Sequence, residues 1–538
     1  MTRSSTDEID YLAEFGYKQE LDRSLGKFSS FAAGFSFLSI LTGVFMLFGF
    51  GFGFGGPAFW WSIPIVVAGQ LLVAFLFAEL ASQYPIAGGI YQWTKQIASP
   101  FAAWTAGWVM ILSSMVAVTG PAVGLQVVLP QIWSGFQVFG TAADIGTYST
   151  VDGARNAVLL GSILLIAATV INILGVRLMA LINNIGVFTE LVGCTVLILV
   201  LFAKAQRGPD IVTHTDGAYS TSWGIFGAML IASLFAVNIY CGFDAAGALA
   251  EETSNPRRFA PREIIRALVV SAILGAALVL AAQMAMPDIL GQNNLDMIAA
   301  QGLPYVLKAV LGETFAKLFL VAVAISMCVC ALAVQAAGIR MVFSMARDGK
   351  LPFSNRLASV NSKTRSMVGA SILLGVAPVA LLLVNVGNQQ VFTTVASIAL
   401  VLFYIAYLIV TVSLLIRRFK KQWPKPDHGP YFNLGSLATT INIAAVVFQI
   451  VALINLMWPR VEIYGDAGWY FQWGAFVFVG AALSIGWAIY FYLHRDGKDV
   501  PVAEHTATVD AAGHAQAAPE AVDDRVFEAP DRAGSPSA

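Results

Sequence analysis

Long apolar stretches recur along most of this 538-residue chain, and they limit what it can fold into more than any other feature. A helix needs about 20 predominantly apolar residues to cross the hydrocarbon core of a bilayer. Hydrophobic residues make up 57% of the chain and charged residues 12%, whereas a soluble domain carries about 25% charged residues. The sequence therefore predicts an all-α polytopic membrane protein and argues against a soluble multidomain enzyme.

Twelve membrane-spanning helices can be drawn, and the distribution of charge predicts their orientation. Their approximate limits are 29–52, 57–82, 101–129, 155–175, 179–203, 223–250, 264–287, 305–338, 368–386, 391–416, 433–458 and 469–493. The even number places both termini on one side, where the N-terminal arm, alternate loops and tail hold 25 of the 31 Lys and Arg residues. Because cytoplasmic loops carry the excess of positive charge, we expect both termini in the cytoplasm and the protein in the plasma membrane.

Two spans contain features that a membrane helix ordinarily avoids. The first span holds Ser39, Thr42 and Gly43 near its middle, and the sixth holds Gly242 beside Asp244 in "NIYCGFDAAG". Within lipid a helix can unwind only where protein or a water-filled cavity satisfies the freed backbone groups. Interrupted helices at matching positions of two halves predict the binding site of a secondary transporter. Close helix packing through small residues is the alternative.

The two irregular spans lie five spans apart, which predicts two inverted repeats. The segments that follow are a cytoplasmic N-terminal arm (1–28), a first repeat with helices 1–5 (29–203), a second repeat with helices 6–10 (204–416), helices 11–12 (417–493) and a cytoplasmic tail (494–538). The tail is rich in Ala, Pro and acidic residues and has no apolar periodicity, so we expect it to be disordered.

Unwinding of these two spans would create a site for a zwitterion. The half-helix that restarts after Thr42–Gly43 would present free N–H groups and its positive dipole end to a carboxylate. The carbonyl groups freed around Asn238 to Cys241 would suit an ammonium group. An amino acid carries both charged groups, so a small-molecule amino acid is the expected partner beside the lipid bilayer.

Three carboxyl groups lie within the predicted spans, at Glu79, Glu190 and Asp244. Ionisable residues inside a membrane usually mark a pathway or a proton relay, and because desolvation disfavours the anion, such a group could bind and release protons. Each also has a structural interpretation. Glu79 could reach the interface or loop amides, Glu190 could bond to a neighbouring helix, and Asp244 could cap the helix after the break.

The remaining features point to no cofactor and to no nucleic acid partner. All four cysteines lie within apolar runs, where core packing explains them better than metal or redox chemistry. No basic patch interleaved with aromatic residues indicates nucleic acid, and no His cluster, HExxH motif or nucleophile elbow within the spans indicates an enzyme. We therefore expect neither a metal nor an organic cofactor, and we leave a homo-oligomer open.

Four stretches, in order along the chain, resemble a known transporter family. They are "FSFLSILTGVF" (35–45), "FAELASQYPIAGGIYQW" (77–93), "CGFDAAGALAEETSNPRRFAPREII" (241–265) and "RMVFSMARDGKLP" (340–352). With the twelve spans, they resemble the amino acid–polyamine–organocation (APC) superfamily and, within it, the amino acid/choline branch that includes GABA permeases. The resemblance implies a five-plus-five inverted repeat with two further helices, unwound helices 1 and 6, and proton-coupled uptake or exchange of amino acids or amines by alternating access.

The resemblance also implies roles for single residues. Substrate binding is expected at Ser39, Ile40, Leu41, Thr42, Gly43, Asn238, Tyr240, Cys241, Gly242 and Phe243. Gate or loop roles are expected at Glu79, Gly88, Gly89 and Tyr91, and the segments "EETSNPRR" and "ARDGKLP" are expected to form cytoplasmic contacts that stabilise one conformation. Proton coupling is expected at Asp244 or Glu190.

Two departures from the family pattern bear on the substrate and the ion. Leu41-Thr42-Gly43 stands where related exchangers have Gly-Ser-Gly, which implies a narrower carboxylate pocket, and Glu190 stands where some proton-coupled relatives carry a lysine. Sodium-coupled carriers of this fold usually supply hydroxyl groups from span eight, where the stretch "AISMCVCALAVQAAG" offers only Ser326, so protons are favoured over sodium. A polyamine or organic-cation carrier and a transporter-like sensor are the alternatives to a carrier of amino acids or GABA.

Overall fold

The computed structural model describes residues 10–148, 150–287, 291–385, 389–424, 429–464 and 469–495, together with 507–509 and 515–517. The α-helices of the described residues lie in one compact unit, Glu20–Asp499. A second unit, formed by the two ends of the chain, contains the 3-10 helix Asp10–Phe15 and two antiparallel strands, β1 (Ala507–Val509) and β2 (Ala515–Ala517). Most of the tail lies outside the described residues, so its disorder stays a prediction.

Eight α-helices cover the first five predicted spans and their connections. They are α1 (Lys27–Leu38), α2 (Ile40–Gly55), α3 (Ser62–Gln83), α4 (Gly89–Ile97), α5 (Pro100–Ala117), α6 (Thr119–Ile132), α7 (Val151–Leu174) and α8 (Val176–Ala203). Short 3-10 helices lie in the connections, at Gly56–Trp61, Ser134–Phe136, Ala142–Asp144 and Pro209–Thr213.

The remaining α-helices cover spans six to twelve. They are α9 (Gly224–Ala232), α10 (Leu234–Ile239), α11 (Ala245–Ala248), α12 (Pro256–Ala285), α13 (Gln292–Gln301), α14 (Leu303–Arg347), α15 (Ser354–Leu357), α16 (Val368–Asn385), α17 (Gln389–Phe419), α18 (Ala438–Met457), α19 (Val461–Tyr464), α20 (Trp469–Gln472) and α21 (Gly474–Leu493). The 3-10 helices Ala250–Glu252 and Gly435–Leu437 complete this half.

Each of the twelve predicted spans coincides with a helix or with a set of broken helices. Among the described residues, nine helical stretches are long and apolar enough to cross a membrane. The first stretch, Lys27–Gln83, contains two predicted spans, and the shorter apolar helices Gly224–Ile239 and Val368–Leu383 account for two more. The chain is therefore the all-α polytopic protein that the sequence predicts, with breaks in its first and sixth membrane helices.

The outer surface of this bundle is apolar. Large aliphatic and aromatic side chains stand more than half exposed on α7 and α8, among them Ile163, Ile166, Leu181, Ile185 and Phe188. Soluble monomers rarely expose a contiguous apolar surface of this kind, and it fits contact with lipid tails. The broken helices lie inside this surface, because α1 packs against α8, α12 and α14, and α2 packs against α9, α10 and α14.

The structure adds helices that the predicted spans do not include. The amphipathic helix α4 follows Gly88, whose φ of 89° is in the left-handed region that favours glycine. The helix α13 packs against α2 at the other end of the bundle. The helix α14 continues to Arg347, well past the predicted limit at residue 338, because its last turns are buried against other helices and not exposed to water.

Candidate functional site

The first membrane helix is broken at a single residue, Ser39. Its backbone is left-handed (φ 31°, ψ 89°) between the end of α1 and the start of α2, a conformation that residues other than Gly, Asn and Asp rarely adopt. The Ser39 amide donates to Phe35 O at 2.8 Å, and its carbonyl accepts from Gly43 N at 2.9 Å. Helical bonding therefore resumes at once, and the break is shorter than the predicted stretch Ser39–Gly43.

A carboxyl group of the chain itself occupies the start of α2. Glu190 of α8 accepts a hydrogen bond from Leu41 N at 3.0 Å, and its two oxygens lie 3.1 and 3.3 Å from Ser39 Oγ. The same hydroxyl lies 2.6 Å from Thr42 Oγ1. The N-terminus of a helix attracts anions through its free amides and its dipole. Glu190 thus binds at the start of α2, a position at which the sequence predicts binding of the substrate carboxylate.

The second break spans five residues of the sixth membrane helix. The helix α10 ends at Ile239 and α11 begins at Ala245. Gly242 lies in the middle with a φ of 97°, and a Cβ at this position would lie 2.0 Å from the ring of Phe37. Both the backbone angle and the close approach of α1 require glycine here. The break begins at Tyr240, two residues later than the predicted Asn238.

Tyr407 of α17 holds the second break together. Its hydroxyl donates to Asp244 Oδ1 and accepts from Gly242 N at 3.2 Å. The rings of Phe77 and Phe403 pack against the tyrosine ring. Within the described part of the chain, the Asp244 side chain makes no capping bond to α11. The buried carboxyl group is therefore bound to another helix instead of acting as the helix cap that the sequence left as an alternative.

A cavity of about 280 Å³ lies between the two breaks. Four of the ten predicted substrate residues line it: Thr42, Gly43, Asn238 and Cys241. The other six are buried and are not among its lining residues, namely Ser39, Ile40, Leu41, Tyr240, Gly242 and Phe243. The coupling candidates Glu190 and Asp244 are not in the lining either.

The rest of the cavity wall is largely apolar. It is formed by Phe37, Leu38, Met46, Leu47, Phe50, Val116, Ala117, Gly120, Pro121, Tyr148, Leu234, Ile239, Cys330, Val334, Ala399, Leu400, Phe403, Leu456 and Ile463. None of the described residues that line the cavity carries a formal charge. The polar groups of the wall are Asn238, Tyr148 and Thr42 with two thiols, so the cavity offers few hydrogen-bonding groups around a mainly hydrophobic space.

Comparison with known proteins decides the family. A model of the amino acid permease family matches residues 25–482, which includes both breaks and the cavity. The chain belongs to the amino acid permease family. This is a family of transporters in the APC superfamily, so the permease is not an enzyme, and the resemblance found in the sequence is confirmed at the level of the superfamily.

Named relatives of the permease cover most of its length. The amino-acid permease BAT1 of Arabidopsis thaliana is 29% identical over 474 residues, which cover 83% of this chain and 88% of the relative. Its homolog in Oryza sativa subsp. japonica is 27% identical over 466 residues, covering 83% and 86%. The branched-chain amino acid permease BcaP of Bacillus subtilis is 26% identical over 464 residues, covering 84% and 92%.

Buried ion pairs close one end of the permease, which we call the basic end: it holds the Lys/Arg-rich segments 251–266, 340–367 and 417–424. Glu251 accepts from both terminal nitrogens of Arg347, at 2.8 and 3.1 Å, and Glu252 accepts from Arg340 at 2.8 and 3.0 Å. All four side chains are at most 4% exposed. The Glu251–Arg347 pair joins "EETSNPRR" directly to "ARDGKLP", in which Arg347 is the second residue, and the Glu252–Arg340 pair joins it to the preceding turns of α14. The two stretches are therefore in contact, as the sequence predicts.

The predicted gate residues also lie at the basic end. Glu79 pairs with Arg418 of α17 instead of reaching loop amides or the interface. Tyr91 donates to Asp348 Oδ2 at 2.8 Å. A Cβ on Gly88 would lie 2.4 Å from the Ser344 side chain, which leaves no room for a larger residue. Gly89 lies against Ala248. A role in gating stays a prediction for all four residues.

Sequence reasoning missed the groups that complete the site from distant helices. Tyr407 is the clearest case, and the signal for it was the pair of tyrosines in "VLFYIAYLIV", where Tyr404 and Tyr407 share one face of an apolar span. Tyr404 accepts from Gln70 Nε2 at 2.8 Å. Both hydroxyl groups therefore bind polar partners inside the bundle, as buried phenol groups usually do.

Proposed function

We propose that this permease is a secondary active carrier for amino acids with an apolar side chain, driven by protons and working by alternating access. The observation that carries the proposal is the cavity between the two helix breaks. Its volume, about 280 Å³, is just below the range of about 300 to 1,000 Å³ that is typical of small-molecule pockets, which suits a small substrate. Its apolar wall suits an aliphatic or aromatic side chain, and the breaks supply groups for the two charged ends of a zwitterion.

The amide groups at the start of α2 suit the carboxylate of the substrate. Thr42, the third residue of α2, lines the cavity, and a residue in the first turn of a helix has an amide without a partner in its own helix. On the other side, Asn238 is exposed beside Cys241. The side-chain carbonyl of Asn238 and the backbone of the second break could accept from an ammonium group.

The substrate classes that compete with this proposal fit the wall less well. A polyamine or another organic cation would bring a charge into a cavity whose described lining carries none, at a cost in desolvation. GABA has no apolar side chain to fill the hydrophobic part of the cavity. The name of the relative in Bacillus subtilis, a branched-chain amino acid permease, agrees with an apolar substrate.

We also propose that the basic end faces the cytoplasm, with both termini on that side and the permease in the plasma membrane. The positive charge of the loops supports this orientation. The cavity reaches residues of the opposite end, Tyr148 and Ile463, while buried ion pairs hold the basic end together. This arrangement fits a state in which the substrate enters from outside.

Transport by the purified protein in liposomes tests the proposal. Labelled L-leucine, L-isoleucine and L-phenylalanine should accumulate under an inward proton gradient, and a protonophore should abolish the accumulation. GABA, choline and putrescine should accumulate little. Accumulation of putrescine without the amino acids would favour the organic-cation alternative. Accumulation of amino acids that depends on a sodium gradient would mean that sodium, and not the proton, is the coupling ion. Binding of amino acids without transport would favour a sensor.

A further inference from the structure

We propose that Glu190 is the proton site of this permease, and that it takes up one proton when a substrate carboxylate binds to the opposite side of the same half-helix. The inference rests on the proposed function and extends it, because it chooses between two candidate carboxyl groups. An internal carboxyl group, that of Glu190, already occupies the start of α2, where a substrate carboxylate would also bind.

The first turn of α2 has two sides with different neighbours. On the side of α8, Glu190 bonds to Leu41 N at 3.0 Å and lies 3.1 Å from Ser39 Oγ. On the other side, Thr42 and Gly43 line the cavity, and Glu190 does not. A substrate carboxylate in the cavity would therefore approach the half-helix while Glu190 still holds the amide of the preceding residue.

Two carboxylates at this position would compete for one positive end. A helix dipole is equivalent to roughly half a positive charge at the N-terminus, which balances part of one anion and not two. When two carboxylates share a site, repulsion favours the protonated form of one of them. The substrate arrives from water with its carboxylate ionised, whereas the Glu190 carboxylate is buried in the bundle. The group that takes up the proton is therefore Glu190.

No cation among the described neighbours of Glu190 could relieve this repulsion. The hydroxyl groups of Ser39 and Ser326 lie beside the carboxyl group, from the first break and from α14. The titratable neighbours are the thiols of Cys194 on α8 and Cys330 on α14, with Tyr240 of the second break beyond Cys194. Thiols and phenols are ordinarily neutral near pH 7. Among the described residues, no Lys, Arg or His lies against this carboxyl group.

Asp244 is placed differently. Its carboxyl group accepts from Tyr407, and its nearest titratable neighbours are Tyr407 and Cys241. It belongs to the second break, where the substrate's ammonium group would bind, and its described side-chain hydrogen bond goes to α17 and not to α2. Repulsion from a substrate carboxylate at α2 therefore acts on Glu190 and not on Asp244. We assign Asp244 to positioning Tyr407.

The proton moves between Glu190 and water on each side of the membrane in turn. The Glu190 carboxylate takes one proton from water on the entry side and becomes a neutral carboxylic acid while the substrate carboxylate binds. When the substrate leaves at the other side, the carboxylic acid releases its proton there and the carboxylate returns to the amide of Leu41. One proton thus crosses the membrane with each substrate molecule, with no change in oxidation state and no further reactant.

Calorimetry of substrate binding tests this assignment. L-leucine is titrated into the purified full-length protein at one pH in buffers with different ionisation enthalpies, which yields the number of protons taken up. At a pH high enough for Glu190 of the substrate-free protein to be ionised, the wild type should take up about one proton per L-leucine bound. In that range its Kd should rise tenfold per pH unit, since one linked proton is worth about 1.36 kcal/mol per unit. L-Leucinol, which lacks the carboxylate, should bind without proton uptake; this comparison requires no variant.

Variants separate the two carboxyl groups. Glu190→Gln should bind L-leucine with no proton uptake and with a Kd that no longer changes with pH, whereas Asp244→Asn should still take up a proton. Binding of L-leucine to the wild type without proton uptake, equal uptake with L-leucinol, or uptake that persists in Glu190→Gln would overturn the assignment while leaving the proposed amino acid carrier in place. If the wild type binds no amino acid at all, the proposed function fails first and this assignment fails with it.

Discussion

At the scale of single residues, the hydroxyl group of Tyr407 makes hydrogen bonds to two residues of the second break, Gly242 and Asp244. Tyr407→Phe would leave the buried Asp244 carboxyl group without this donor, at a cost of about 1–3 kcal/mol. We expect a lower unfolding temperature and weaker binding of L-leucine, both measured by thermal unfolding with and without the amino acid. Tyr404→Phe is the matched control, because it removes a hydroxyl group bonded to Gln70 one turn away. Equal losses of binding in the two variants would contradict the role of Tyr407.

A second prediction concerns Gly242, the residue at which the sixth helix unwinds. A Cβ there would lie 2.0 Å from the Phe37 ring at a φ of 97°, and a left-handed backbone costs a residue other than glycine about 1–3 kcal/mol. Gly242→Ala should therefore weaken L-leucine binding roughly tenfold or more, as measured by titration. Gly480→Ala is the control, since a Cβ at that position meets nothing within 4 Å. Unchanged affinity for L-leucine in Gly242→Ala would show that the second break is not part of the substrate site.

The residues of the site could be predicted only in part. Glu190 and Asp244 are visible in the sequence because acidic residues are rare in membrane spans, and Ser39 and Gly242 are visible because they lie in two spans at matching positions of the two halves. Their partners are not visible, since Glu190 lies 151 positions from Ser39, and Tyr407 lies 163 positions from Asp244. Such contacts depend on how the helices pack, and a single sequence with its hydropathy does not specify that packing.

At the scale of elements, the spans were predictable because the bilayer fixes the length and the apolar character of a crossing helix. The sequence does not give the exact form of the breaks. Ser39 alone interrupts the first helix, although Thr42 and Gly43 drew attention to a longer stretch. The helices α4 and α13 were missed because they lie in connections, where apolar length gives no signal.

The ion pair between Arg347 and Glu251 joins α14 to the end of the sixth membrane helix and allows a test at this scale. Arg347→Met would leave Glu251, which is fully buried, without its guanidinium partner, and breaking a buried pair costs about 3–5 kcal/mol. We expect a large drop in the unfolding temperature. The double variant Glu251→Gln/Arg347→Met removes both charges and should recover most of it.

An exposed pair supplies the control for this prediction. Arg155 and Asp152 lie within one helix with both side chains well exposed to solvent, and pairs of this kind contribute about 1 kcal/mol at most. Arg155→Met should therefore change the unfolding temperature little. A similar drop in Arg155→Met and in Arg347→Met would show that the buried pair does not stabilise this state of the permease.

At the scale of the whole molecule, the basic end and the opposite end of the bundle are built differently. The basic end combines the positive loops with buried ion pairs between distant segments, whereas the cavity extends from the helix breaks toward the opposite end. Under the proposed alternating access, these pairs must separate when the substrate is released on the basic side. The positive charge on which the proposed orientation rests then lies in the same segments that must move.

Labelling of introduced cysteines tests this orientation. Tyr148→Cys lies in the cavity wall at the opposite end, and Lys363→Cys lies in the exposed connection between α15 and α16. In intact cells, a membrane-impermeant thiol reagent should label Tyr148→Cys, with protection by L-leucine, and should label Lys363→Cys only after permeabilisation. The parent protein gives the background from Cys241 and Cys330, which also line the cavity. Labelling of Lys363→Cys in intact cells would reverse the orientation, and labelling of Tyr148→Cys that L-leucine leaves unchanged would place the substrate path elsewhere.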